Sequence, residues 1–158
     1  MWTEIASPED FQDLFDRFDA FHDAVVREVY FRNSSYLDEG GVSFGSPGFA
    51  QLFFQGGRAD LSAVHFLALN LKRLNLGDVD GLRSDVLDEA TYLFRDGLIY
   101  WASIANWSPE VSGSEEALWF ACERLFWRPI EDGLGRRLRL GNLSDYDPGL
   151  EELISTTQ

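Results

Sequence analysis

Two histidines, His22 and His65, and a lone cysteine, Cys122, are the scarcest reactive side chains in this sequence and bound its chemistry. His22 is followed by Asp23, a pair that could join a metal centre only with further histidines, which the chain lacks. Its structural reading is a corner, where one of the two side chains bonds backbone groups freed at the end of a helix. Gly41-Val42-Ser43-Phe44-Gly45 has the spacing of a nucleophile elbow, and Asp60 and His65 would complete a triad order. An elbow needs a strand before the serine and a helix directly after it. Here Ser46-Pro47-Gly48 follows instead, and the segment reads as a glycine loop. Asp78-Val79-Asp80-Gly81 would place Leu76 and Leu87 at the terminal ligand positions of a calcium loop, where neither can bind a cation. It reads as a turn.

No phosphate-cradling or dinucleotide glycine motif is present. The acid pairs Glu115-Glu116, Glu131-Asp132 and Glu151-Glu152 read as solvated surface. Cys122 lies in the apolar run Leu118-Trp119-Phe120-Ala121-Cys122 and reads as an inert core thiol. No residue is assigned a catalytic, cofactor-binding or metal-ligating role, and no cofactor is expected. Trp101, Trp119 and Trp127 are expected in the core. Trp107, in Ala105-Asn106-Trp107-Ser108-Pro109, is expected in a loop as an exposed aromatic and is the candidate partner-binding residue.

The elements that would position these residues can be read in part. Ser7, Pro8 and Asp10 form an N-cap, a first-turn proline and an acidic first turn. Phe11, Leu14, Phe15, Phe18 and Phe21 then recur at helical spacing, predicting an amphipathic helix over about 8–20. The run 24–32 is β-branched and aromatic and predicts a strand; 49–55 predicts a second. Segments 61–76 and 116–128 fit either a helix or a strand, with strand preferred for the first. Asp96-Gly97 is a favoured type I′ turn pair, which sets Arg95 opposite Leu98, Phe94 opposite Ile99, Leu93 opposite Tyr100 and Tyr92 opposite Trp101. A short strand near 137–140 and a last helix opened by Asp147 and Pro148 complete the expectation.

The bulk numbers limit the function classes. The 158 residues fit one globular domain spanning 1–158, and 13 Phe, 5 Trp and 5 Tyr supply a core without disulfide or metal. A formal net charge of −14 repels nucleic acid and anionic lipid and would speed encounter with a basic partner. The cluster Arg136-Arg137-Leu138-Arg139 reads as local ion pairing on that acidic surface. With no signal-peptide pattern and no apolar run of about 20 residues, a cytoplasmic location off the membrane is expected.

Phe21-His22-Asp23-Ala24 followed by a β-run resembles the opening of several families of small uncharacterised bacterial proteins, with a fainter echo in Trp119–Arg128. Some of those are similar to immunity proteins of polymorphic toxin systems. The resemblance implies a helix packed on an antiparallel sheet and a non-enzymatic role in bacterial cytoplasm; it carries over no catalytic residue. The expected fold is α+β: a mostly antiparallel sheet of about five to seven strands, with the N-terminal amphipathic helix packed on one face. The expected function is a non-enzymatic protein-binding domain, in its sharper form an immunity-type inhibitor of a basic toxin. A small-molecule or carbohydrate-binding domain is the alternative, marked by an aromatic-lined concave pocket. An unfamiliar enzyme would instead show two acids in a deep cleft, or His65 beside Ser43.

Overall fold

The computed structural model describes residues 1–33, 36–39, 41–43, 48–56, 61–77, 86–111 and 116–130. Strand β1 (Thr3–Ile5) leads into helix α1 (Pro8–Arg17), a single tight turn (Asp19–Phe21) and strand β2 (Ala24–Arg32). A small hairpin, β3 (Tyr36–Asp38) and β4 (Gly41–Ser43), precedes β5 (Phe49–Gln55) and the long β6 (Ala63–Leu76). Then come β7 (Val86–Leu87), β8 (Thr91–Arg95), β9 (Leu98–Ala102) and the long β10 (Leu118–Pro129). The sheet follows the order β7-β2-β5-β6-β10-β9-β8, every pairing antiparallel, and β1 adds to the edge of β10. Among the described residues, the path of seven strands and the one α-helix match the α+β expectation. No helix among the described residues is long and apolar enough to cross a membrane.

Helix α1 begins as the capping signals require. The Asp10 amide donates to Ser7 Oγ at 3.2 Å, and the Ala6 and Ser7 amides donate to Asp10 Oδ2 at 3.0 and 2.9 Å. These bonds to the carboxylate, that from Ala6 foremost, lower the pKa of Asp10. The helix buries Phe11, Leu14 and Phe15 against one face of the sheet. There Phe21 meets Phe54, Phe66 and Trp101 edge-on at ring separations of 5.1, 5.6 and 5.7 Å, and Phe11 stacks on Tyr92 at 4.5 Å.

The helix ends earlier than the apolar periodicity predicts. Asp19, Ala20 and Phe21 have φ of 54°, 51° and 63°, so the stripe passes through a left-handed turn before it finishes. Segments 61–76 and 116–128, which suited either structure, are strands over most of their length; Ala63–Leu69 and much of β10 are buried on both faces, whereas β6 beyond Asn70 is partly exposed. The hairpin register matches the expected pairs one for one, with Asp96 and Gly97 at φ of 53° and 75° in the turn. The expected strand near 137–140, the last helix, the Arg136–Arg139 cluster and the turn at Asp78–Gly81 lie outside the described residues.

One irregularity shapes the sheet. Asn70 has φ of 52°, and β6 and β10 shift register just beyond it. Alternation slips there: Leu67, Leu69 and Phe126 face away from the helix, whereas Leu71 and Cys122 join the helix-covered core. Asn70 Nδ2 donates to Glu123 at 2.8 Å, and Lys72 Nζ sits 2.6 Å from the same carboxylate. Those two donors, Lys72 first, lower the pKa of Glu123. At this bend β10 changes neighbours along one edge. Residues Trp119–Cys122 pair with β9, Leu125–Trp127 pair with β1, and neither strand reaches Glu123 and Arg124.

Candidate binding surface

His65 lies on the face of the sheet away from the helix and is only 3 % exposed. Register brings its partners together: Phe53 on β5 and Arg128 on β10 are its direct cross-strand neighbours. The Arg128 Nε–H donates to His65 Nδ1 at 3.2 Å, which makes Nε2 the protonated nitrogen, donating to Gln51 Oε1 at 2.9 Å. Phe53 stacks on the imidazole at 3.9 Å, Trp2 meets it edge-on at 4.6 Å, and the Arg128 guanidinium lies 4.5 Å over the Trp2 ring. Burial, and after it the charge of Arg128, push the pKa from 6.5 down to about 3. This imidazole is neutral and engaged at both nitrogens, so its geometry serves packing rather than proton transfer. Its surroundings are Trp2, Phe53, Gln51 and Arg128; the Ser43 side chain and Asp60 lie outside the described residues.

Trp107 corrects the sequence reading. It is 3 % exposed, packed with Ala102 and Ala117 and lying 4.9 Å from the Trp119 ring and 6.2 Å from Tyr100. Its backbone amide donates to Thr91 Oγ1, so the loop folds inward over the β8–β9 hairpin and buries the indole. It is not an exposed anchor. Trp101 and Trp127 are in the core as expected, and Trp119 is partly buried beside Trp107. Cys122 is fully buried, and desolvation raises its thiol pKa.

The corner holding His22 and Asp23 has the densest run of positive φ angles among the described residues. Asp19, Ala20, Phe21 and Asp23 all have positive φ, and Phe21 is a bulky residue to which that region is costly. Each left-handed residue costs roughly 1–2 kcal/mol, so surrounding contacts must hold the corner in place. They do so through the buried Phe21 ring and four backbone bonds. Phe21 N donates to Phe18 O at 3.0 Å, His22 N to Asp19 O at 2.7 Å, Asp23 N to Leu87 O at 2.8 Å, and Ala90 N to Ala20 O at 3.0 Å. The His22 and Asp23 side chains meet each other at 3.2 Å, both exposed. The corner is thus fixed by main-chain bonds and an aromatic plug, where the sequence reading assigned that task to His22 or Asp23.

The two bonds to Leu87 and Ala90 tie the loop 88–89 to the corner. Asp19, Asp23, Asp88 and Glu89 are all exposed there, and the neighbouring edge strand β7 leaves Val86 49 % exposed. Asp16, Asp13 and Glu9 continue the row along the outer face of α1 at helical spacing. Arg17, the basic residue of the last turn, is drawn over the Trp127 ring at 4.9 Å. An amphipathic helix over about 8–20 puts Asp13, Asp16 and Asp19 on its polar side, and the sequence conveys no more of them than that. Asp88 and Glu89 carried no signal, because only the fold brings them to the corner.

A cleft of about 480 Å³ opens at the other end of α1, in the gap that β1 and β9 leave on the edge of β10. It is lined by Glu4–Ala6, by the β8–β9 turn from Phe94 to Ile99, and by Glu123 and Arg124. Its one aromatic residue is Phe94, unlike the tryptophan-lined pocket a sugar-binding domain would show. Among the described residues no three His, Cys, Asp or Glu side chains converge as metal ligands. No protein-family model, curated protein or solved structure matches the chain.

Proposed function

We propose that the chain is a non-enzymatic protein-binding domain that masks a basic protein, in the manner of an immunity-type inhibitor working in bacterial cytoplasm. The observation that carries this reading is the strained corner at Asp19–Asp23, joined to Asp88 and Glu89. It is a rigid backbone feature that presents four exposed carboxylates around an exposed valine. Strain of that kind persists where a surface must keep one shape, and shape kept in advance lowers the entropic cost of binding. The net charge of −14 would steer a cationic partner and suppress anionic ones.

The test is affinity capture from the source cells with the wild-type chain and with an Asp19→Asn, Asp23→Asn, Asp88→Asn, Glu89→Gln variant. Wild type retains a basic protein at about 0.05 M salt and releases it near about 0.5 M, where screening shortens to a few ångströms. The variant retains it weakly or not at all. Retention of no basic protein, or equal retention by the variant, removes the reading.

A further inference from the structure

We infer that the open edge of β8 receives an extended segment of the basic partner as one further strand of the sheet, with lysine or arginine at alternate positions of that segment. The inference rests on the protein-binding reading and adds how the partner's main chain is gripped. Three observations lead to it.

The first is the backbone. β8 ends the sheet path, so its outer edge has no strand beside it among the described residues. The two-residue turn at Asp96-Gly97 makes Arg95 and Leu98 a pair that exchanges both main-chain bonds, and Leu93 with Tyr100 repeats the pattern. Tyr92 and Phe94 therefore turn their N–H and C=O groups away from β9, toward the open edge. Ala90 shows the same parity two residues earlier, where its outward amide donates to Ala20 O. Among the described residues no main-chain bond takes up the outward groups of Tyr92 and Phe94. Two donors and two acceptors in a row are what an added strand pairs with.

The second is the charge above that edge. Tyr92 Oη donates to Gln12 Oε1 at 3.0 Å, which fixes the flank of α1 that overhangs β8. Glu9 and Asp16 lie three residues before and four after Gln12, on that same flank, and Gln12 Nε2 donates to Asp16 at 2.8 Å. Both carboxylates are exposed, and among the described residues neither is paired with a cation. Arg17 leans to the opposite flank, over Trp127. An added strand paired with Tyr92 and Phe94 sets alternate side chains beside those two rings and below Glu9 and Asp16. Lysine and arginine suit both neighbours, with the stem on an aromatic ring and the head at a carboxylate. The residue between them falls opposite Leu93, which packs beside Tyr100 and the buried Trp107, and is apolar. A second copy of this chain would instead bring two acidic flanks together.

The third is continuity. The Ala90–Ala20 bond fastens the strained corner to the start of this edge, and Asp88 and Glu89 directly precede it. A partner seated on the corner thus has an open strand edge leading away from it.

The probe is the peptide acetyl-Lys-Val-Lys-Val-Lys-amide, titrated against the wild-type chain at about 0.05 M salt. Two N-methylated forms separate strand addition from attraction of charge. One carries methyl groups on two lysine amides, which face β8 in the inferred register; the other carries them on the two valine amides, which face away. The lysine-methylated form should bind roughly tenfold more weakly than the parent, and the valine-methylated form within about twofold of it. Hydrogen exchange at the Tyr92 and Phe94 amides should slow when the parent binds. A Glu9→Gln/Asp16→Asn variant should bind the parent roughly three- to tenfold more weakly than a charge-matched control, Glu39→Gln/Glu116→Gln. All four residues are exposed, so folding should survive each change. Equal binding of the two methylated forms, equal binding by the two variants, or unchanged exchange at Tyr92 and Phe94 overturns the inference. So does failure of the parent to bind, or a dimer of the wild-type chain in sedimentation that the peptide dissociates, which would give the edge to a second copy. In each of those cases capture of a basic protein, lost in the corner variant, would leave the protein-binding reading standing.

Discussion

Each face of the sheet buries side chains deeply, but by different means. Toward the helix, Phe54, Phe66, Trp101 and Phe120 interlock with Phe11 and Phe21, and the binding force is area and ring geometry. Away from it, His65 is as deeply buried between Phe53 and Trp2, and it stays there because Gln51 and Arg128 occupy both ring nitrogens. Depth is therefore a poor guide to what a position tolerates. The first face should accept any apolar side chain of matching volume; the second requires particular atoms at particular distances.

Breaking the first face should cost most. Phe66→Ala removes a ring that touches Phe11, Phe21, Phe54, Trp101 and Phe120, and should lose roughly 3–5 kcal/mol in urea denaturation. On the second face, His65→Leu keeps similar bulk but strips Arg128 Nε of its acceptor and Gln51 Oε1 of its donor. It should cost about 1–3 kcal/mol at pH 8, more than Phe66→Leu would if the faces were alike.

The same histidine gives the second face an acid sensitivity that the first lacks. Its folded pKa, about 3, lies below the ordinary 6.5, so the unfolded chain takes up the proton first. The stabilisation is complete above about pH 6.5 and is lost as pH falls toward 3, at up to about 1.4 kcal/mol per unit. Carboxylates titrate in the lower part of that window too, so the quantity to measure is the difference between wild type and His65→Leu. A difference that does not change between pH 7 and 4 would refute the assignment. The smallest effect concerns the helix that covers the first face. Ser7→Ala removes the Oγ acceptor of the Asp10 amide and should cost about 1 kcal/mol, read from the same denaturation curves.

What could be read in the sequence follows the range of the interaction. Strands β2 and β5 and the β8–β9 register came from neighbours a few residues apart, where β-branched runs and an Asp-Gly turn act locally. The cap at Ser7 was legible for the same reason. Leu71 was not: it should share a face with Leu67 and Leu69, and the left-handed Asn70 turns it to the other side. Nor was the fate of Trp107, whose polar, proline-flanked setting predicts exposure although Trp119 and Tyr100 lie ready to cover it. At the candidate surface, Asp19 and Asp23 could be seen as acids, but their union with Asp88 and Glu89 depends on two hydrogen bonds across the fold. Glu4 and Asp96 likewise line one cleft only because β1 and the β8–β9 hairpin meet the same edge of β10 on either side of Glu123 and Arg124.

Strand β1 has a consequence for the order of events during synthesis. Thr3 pairs with Trp127, which is made long after it, and Trp2 covers a histidine whose other neighbours include Arg128. On a ribosome adding about 5–20 residues per second, that partner strand emerges seconds after β1. Until then the first five residues have nothing to dock on, and the His65 face must wait without its tryptophan cover. Completion of the sheet waits for β10, and a product stalled before it would display that half-built face to proteases and chaperones.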